Sequence, residues 1–198
     1  MKRIALVIAA CCLMLGACAQ NNQRKDNTMS KSIVIFFSHA GDNYAVGNIE
    51  VGNTKIVADY ISEITGADQF EIVTHKYDGM AYTPLIELAK DEANKGELPP
   101  YEGTAPDLSQ YDTVFIGGPV WWGTYPQVMF TLFRDINLDG KTVIPFTTHE
   151  GSGLDSCVSD VKKAFPKAKK VTQGFSIYGH EVRTGRAKVE KWIKSITM

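Results

Sequence analysis

The sequence predicts an α/β domain: a doubly wound, five-stranded parallel sheet of order 2-1-3-4-5 with helices on both faces. Three observations carry this. Short runs of branched and aromatic residues alternate five times with segments of helical apolar spacing across residues 33–197. The first run is continuously apolar rather than alternating, as expected of a strand covered on both faces. Loops of conspicuous chemistry follow the first, third and fourth runs, and a sheet of this order brings those loops to one edge.

Residues 33–37 form the first strand run, which opens into the Gly-, Asn- and Ser-rich stretch SHAGDNYAVGNIEVGNT at 38–54. Ile56, Val57, Tyr60, Ile61 and Ile64 then fall on one helical face, with Thr54 as cap or first-turn residue. A second strand is expected at 70–74. After a loop through Tyr82, a helix is expected at 84–95, opened by Pro84 and stopped by Gly96 and Pro99-Pro100. Residues 114–117 read as the third strand and 126–134 as the third helix, with Val128, Met129, Leu132 and Phe133 inward. Asp139-Gly140 turns into a fourth strand at 142–146, whose exit loop TTHEGSG (147–153) leads to a helix from Leu154 to about Phe165. A fifth strand at 171–177 follows, and Val182, Val189, Trp192, Ile193 and Ile196 mark the last helix. No internal repeat or second globular domain is visible.

The 198 residues, 44% hydrophobic and 22% charged, suit one globular domain behind a leader. Residues 1–17 read as a signal peptide: Lys2 and Arg3 precede an uncharged run at 4–15 that is too short to span a bilayer. It ends in Leu15-Gly16-Ala17-Cys18, which resembles the lipobox of bacterial lipoproteins and implies lipidation of Cys18. Residues 18–31 are polar and aperiodic, a flexible tether, and 32–198 are the domain. The expectation is a protein lipid-anchored to a membrane of the cell envelope, outside the cytoplasm. Translation starting at Met29 would instead leave it cytoplasmic.

From Ser32 onward 16 Lys and Arg stand against 21 Asp and Glu, a domain charge of −5. Such a balance offers no basic face for nucleic acid. Cys157 is the one cysteine beyond the leader, expected as a buried, inert thiol in a helix.

The first loop ends in Gly52-Asn53-Thr54 at a helix start, where backbone N–H groups, the helix dipole and short polar side chains suit a phosphate dianion. Gly47 and Gly52 also approach a Walker A spacing, but Asn53 stands where its lysine would be, which disfavours a nucleoside triphosphate. No Gly-x-Gly-x-x-Gly is present for a dinucleotide. The loop after strand 3, GGPVWWGTYP, carries two tryptophans in a segment with no period to bury both. They suit a planar apolar wall. His149-Glu150-Gly151-Ser152-Gly153 lacks the spacing of a nucleophile elbow. His39, His75, His149 and His180 are scattered without metal-ligand spacing.

Taken in order, the loops Ser38…Gly52-Asn53-Thr54, Gly117-Gly118-Pro119-Val120-Trp121-Trp122-Gly123-Thr124-Tyr125-Pro126 and Thr147 to Gly153 resemble the flavodoxin family. The likeness is closest to its short flavodoxin-like oxidoreductases, and it covers most of 33–197. The resemblance implies FMN. Ser38, Asn53 and Thr54, with His39 and Gly52 beside them, would contact its phosphate. Pro119, Val120, Trp121, Trp122 and Gly123 would flank the isoalloxazine. Thr148, His149, Glu150, Gly151, Ser152 and Gly153 would border its other face or pyrimidine edge. Gly123 is a candidate for the backbone rearrangement that, in flavodoxins, aims a carbonyl at flavin N5. The insertion at 39–51 suggests a flap near the ribityl chain. One of the two tryptophans is expected to stack on the flavin and the other to pack aside. Two roles follow: a carrier working between redox partner proteins, or an oxidoreductase that takes electrons from NAD(P)H and passes them to a small acceptor such as a quinone.

Overall fold

The structure, a computed structural model, describes residues 31–197. The expected signal peptide, Cys18 and the tether up to Ser30 lie outside the described residues. In chain order the elements are β1 (Ser32–Phe37), a hairpin of β2 (Gly41–Asn43) and β3 (Gly47–Ile49), α1 (Asn53–Thr65), β4 (Asp68–Ile72) and α2 (Tyr82–Lys95). There follow β5 (Thr113–Pro119), α3 (Gln127–Asp135), β6 (Thr142–His149), α4 (Cys157–Ala164), β7 (Lys170–Val171), β8 (Phe175–Tyr178), a 3-10 turn (Gly179–Thr184) and α5 (Arg186–Thr197).

The main sheet runs β4-β1-β5-β6-β7, all parallel, with β8 also on β6. Counting β7 and β8 as one interrupted edge strand, this is the expected order 2-1-3-4-5. The interruption has a local cause. Val143 pairs with Val171 and Phe146 with Phe175, so the offset grows from 28 to 29 residues across Pro145, which has no N–H to give a ladder. Gly174 takes the left-handed backbone of the bulge, φ 83°.

Strand side chains alternate between two cores. Ile33, Ile35, Phe37, Val114, Ile116 and Val143 pack with residues of α2, α3 and α4. Val34, Phe36, Phe115, Ile144 and Phe146 pack with α1 and α5. Burial on both faces explains why the first strand reads as an unbroken apolar run.

Element boundaries differ from expectation where polar contacts intervene. Strand β6 continues through Thr147, Thr148 and His149, read from sequence as loop. Helix α2 begins at Tyr82 rather than Pro84, and Val182 lies in the 3-10 turn instead of the last helix. Helix α4 starts at Cys157, not Leu154: Asp155 is left-handed at φ 38°, and the Ser156 N–H donates to Gly123 O at 2.9 Å. Cys157 is fully buried, and burial pushes its thiol up, as an inert core cysteine requires. The insertion after β1 is the β2–β3 hairpin, whose turn places Ala45 at φ 61°.

Candidate functional site

A cavity of about 390 Å³ opens at the carboxyl ends of β1, β5 and β6, the position where ligands bind in open α/β sheets. At one end stands the start of α1. Its N-cap, Gly52, has no side chain to cap it and no acid lies in the first turn, so the N–H groups ahead of Lys55 have no side-chain acceptor. Ser38 Oγ accepts from Lys55 N–H at 3.0 Å. Gly52 is required by close approach: a Cβ there would lie 2.6 Å from His39 O. Thr54, buried in the first turn, shares a 2.8 Å hydrogen bond with Thr148 on β6 and ties the first loop to the third.

The tryptophan loop is a tight hairpin. Trp121 N–H donates to Thr124 O at 2.9 Å, and the two central residues, Trp122 at φ 53° and Gly123 at φ 82°, are both left-handed. This combination marks a type I′ turn. The turn sends the rings apart. Trp121 is half-buried and meets Phe37, Tyr77 and His39 edge-on, at centroid distances of 5.6, 5.2 and 5.8 Å. Trp122 is 51% exposed, with Nε1 donating to Ile86 O at 2.6 Å and Lys90 Nζ 4.8 Å above its ring.

Across the cavity, His149 Nδ1 accepts the Gly151 N–H at 2.9 Å, which leaves the ring proton on Nε2. Desolvation holds its pKa below the ordinary value despite the carboxylates of Glu150 and Glu181. Both oxygens of Glu150 are taken by His180, one by its N–H at 2.8 Å and the other by its ring at 2.6 Å. His39 is nearly buried, and its Nε2 has no hydrogen-bond partner among the described residues. Burial pushes its pKa down, against the pull of Asp78 and Asp42.

Twelve of the sixteen expected residues line the cavity: His39, Asn53, Thr54, Pro119, Val120, Trp121, Trp122, Gly123, Thr148, His149, Glu150 and Ser152. Ser38, Gly52, Gly151 and Gly153 do not line it. Ser38 lines a smaller cavity between the loops after β1 and β4, and Gly153 O accepts from Thr147 Oγ1 at 2.7 Å. Sequence reasoning missed Asn43, Tyr44 and Val46 of the hairpin, Tyr82, Leu85 and Ile86 of α2, and Gly179. Asp42 Oδ2 accepts the Tyr82 N–H at 2.9 Å, so the hairpin caps α2 and brings that helix to the site. Among the described residues no group of three or more His, Cys, Asp or Glu is arranged to hold a metal ion.

The flavodoxin family model matches residues 31–196. The chain belongs to the flavodoxin family. A solved structure from Bacteroides eggerthii, described as a candidate flavoprotein, is 25% identical, with TM-score 0.65 over 85% of this chain and 99% of that one. A similar protein of Bacteroides uniformis is 25% identical, with TM-score 0.63 over 83% and 98%. A Lactobacillus acidophilus flavoprotein, solved in complex with FMN, is 22% identical, with TM-score 0.59 over 78% and 97%. No curated protein matches the chain.

The Thr54–Thr148 bond is the strut of this flavodoxin domain's site, and its worth can be isolated. Thr54→Val or Thr148→Val alone should destabilise by about 1–3 kcal/mol, because each leaves a buried hydroxyl unpaired. The double variant should recover most of that loss. Urea unfolding of the three variants checks it. Strictly additive losses would mean the two hydroxyls are not coupled.

Proposed function

We propose that residues 32–198 bind FMN and carry out flavin-dependent oxidoreduction. The single observation that carries this reading is the cavity itself, with the N-terminus of α1 at one end and tryptophan rings on a wall. Three features fit the cofactor. The α1 N-terminus suits a phosphate. His39, edge-on to Trp121, lines the cavity beside the ring wall. The volume of about 390 Å³ is in the range of small-molecule sites. Bound FMN would supply one- and two-electron chemistry. The chain's own residues bind and orient it: Asn53 and Thr54 at the phosphate, the Trp121-Trp122 loop at the ring system, and neutral His149 as a donor through Nε2. Titrating apoprotein with FMN should quench flavin fluorescence and saturate at one equivalent; a protein that stays colourless in excess FMN would refute the proposal.

Small-molecule oxidoreduction is favoured over shuttling between proteins because exposed rings line the cavity: Tyr44 at 61% and Trp122 at 51%. Such rings suit a planar acceptor such as a quinone. Anaerobic bleaching of the flavin within seconds by NADH or NADPH, and re-oxidation by a quinone, is the expected behaviour. Flavin that stays oxidised with either nucleotide would support the protein-to-protein carrier instead. The proposal includes a lipid on Cys18 that anchors the domain in the cell envelope, supported by the sequence of the leader. A native N-terminus beginning unmodified at Met29 would remove it.

A further inference from the structure

We infer that Arg183 is the cation that reads the terminal phosphate of the flavin and so makes this site prefer FMN to riboflavin. The inference rests on the FMN reading above and deepens it by naming the residue that sets its specificity.

The 3-10 turn after β8 is pressed against the start of α1. A Cβ on Gly179 would lie 2.7 Å from Glu150 Oε1 and overlap the Asn53 side-chain amide, so the approach depends on glycine. Val182, fully buried, fixes the turn to the core. From this turn Arg183 extends its guanidinium to Asn53 Oδ1 at 3.1 Å and Val51 O at 3.4 Å. Both acceptors are neutral. Among the described residues no carboxylate lies within ion-pair distance of Arg183.

That placement is electrostatically unfavourable by itself. A helix N-terminus carries about half a positive charge, which a nearby cation opposes. Here the α1 N-terminus has no acid in its first turn, its one side-chain cap is the neutral Ser38 hydroxyl on Lys55 N–H, and the Lys55 ammonium is paired with Asp59. Glu150, the carboxylate facing the same turn, has both oxygens engaged by His180. Two sources of positive potential therefore converge, and the nearby carboxylate, Glu150, is turned to His180 rather than to either of them. A phosphate dianion at the helix start satisfies both, through the N–H groups on one side and the guanidinium on the other. The lysine that Asn53 replaces in the Walker-like sequence thus has its counterpart 130 residues downstream.

The test compares FMN and riboflavin, which differ by the phosphate alone. Each is titrated into apoprotein of the parent, Arg183→Gln and Arg183→Lys, with flavin fluorescence as the readout. Arg183→Gln should weaken FMN about ten-fold or more and leave riboflavin within about two-fold. Arg183→Lys, which retains the charge, should fall between parent and Arg183→Gln for FMN. Added salt should narrow the FMN-to-riboflavin ratio of the parent more than that of Arg183→Gln. Equal losses for both flavins would make Arg183 a clamp on Val51 and Asn53 and overturn the inference, as would no loss for either. A parent that binds riboflavin as tightly as FMN overturns it without touching flavin binding. A parent that binds neither removes the FMN reading together with the inference.

Discussion

Gly117→Ala should destabilise the domain by about 2–3 kcal/mol, at the upper end of what one added methyl does in a packed core. Gly117 is not at a positive φ, so backbone freedom is not the reason glycine stands there. The reason is directly across the ladder. Gly117 pairs with Phe146 of β6, and the Phe146 ring occupies the space a Cβ would need. The ring cannot yield cheaply, because Phe146 is fully buried among Val34, Phe36 and the apolar faces of α1 and α5. Shrinking the obstacle should compensate: Phe146→Leu placed on Gly117→Ala should restore about half of the loss, although Phe146→Leu alone is destabilising. Urea midpoints of the parent, the two single variants and the double variant measure this. If Gly117→Ala melts like the parent, the ring does not cover that position. Because Gly117 lies two residues before Pro119, the variant should also disturb the tryptophan loop and weaken flavin binding.

Where burial dictates residue type, the sequence can be read directly. Val34, Phe36 and Ile61 had to be apolar to fill the core between β1 and α1, and their spacing declares strand and helix. Thr147 and Thr148 misled because their polarity reads as loop. Both are buried in β6, their hydroxyls satisfied by Gly153 O and Thr54, and such partners have no local sequence signature. The β2–β3 hairpin was equally opaque: three-residue strands are too short to show a period of two. Its role depends on Asp42 reaching Tyr82, forty residues on. At the site, the glycines, tryptophans and threonine of the three loops were legible because their chemistry is unusual for loops. The contributions of α2 and the 3-10 turn were not, since Leu85 and Ile86 look like ordinary helix residues and Arg183 like an ordinary surface charge.

Replacing the two tryptophans separately should give opposite profiles, which the expectation of unequal partners left unassigned. Trp121→Ala should lower stability by about 3 kcal/mol, since its ring fills the junction of Phe37, Tyr77 and His39. Its effect on FMN would then mix lost contact with a loosened wall. Trp122→Ala should change stability by less than about 1 kcal/mol. The ring is half exposed, and the left-handed backbone at φ 53° already opposes a large side chain there, so losing the ring costs the fold little. Yet Trp122 has one face beneath Lys90 and its Nε1 fixed by Ile86, which holds the ring against the cavity wall without support from the core. A side chain kept in a strained, exposed position and pinned at its polar end is arranged for a ligand rather than for packing. Trp122→Ala should therefore weaken FMN about ten-fold at nearly parental stability. Trp122→Gly, which also removes the backbone strain, should match or exceed parental stability with the same loss of affinity. Parental FMN affinity in both Trp122 variants would assign the flavin wall to Trp121 and leave Trp122 a contact between the turn and α2.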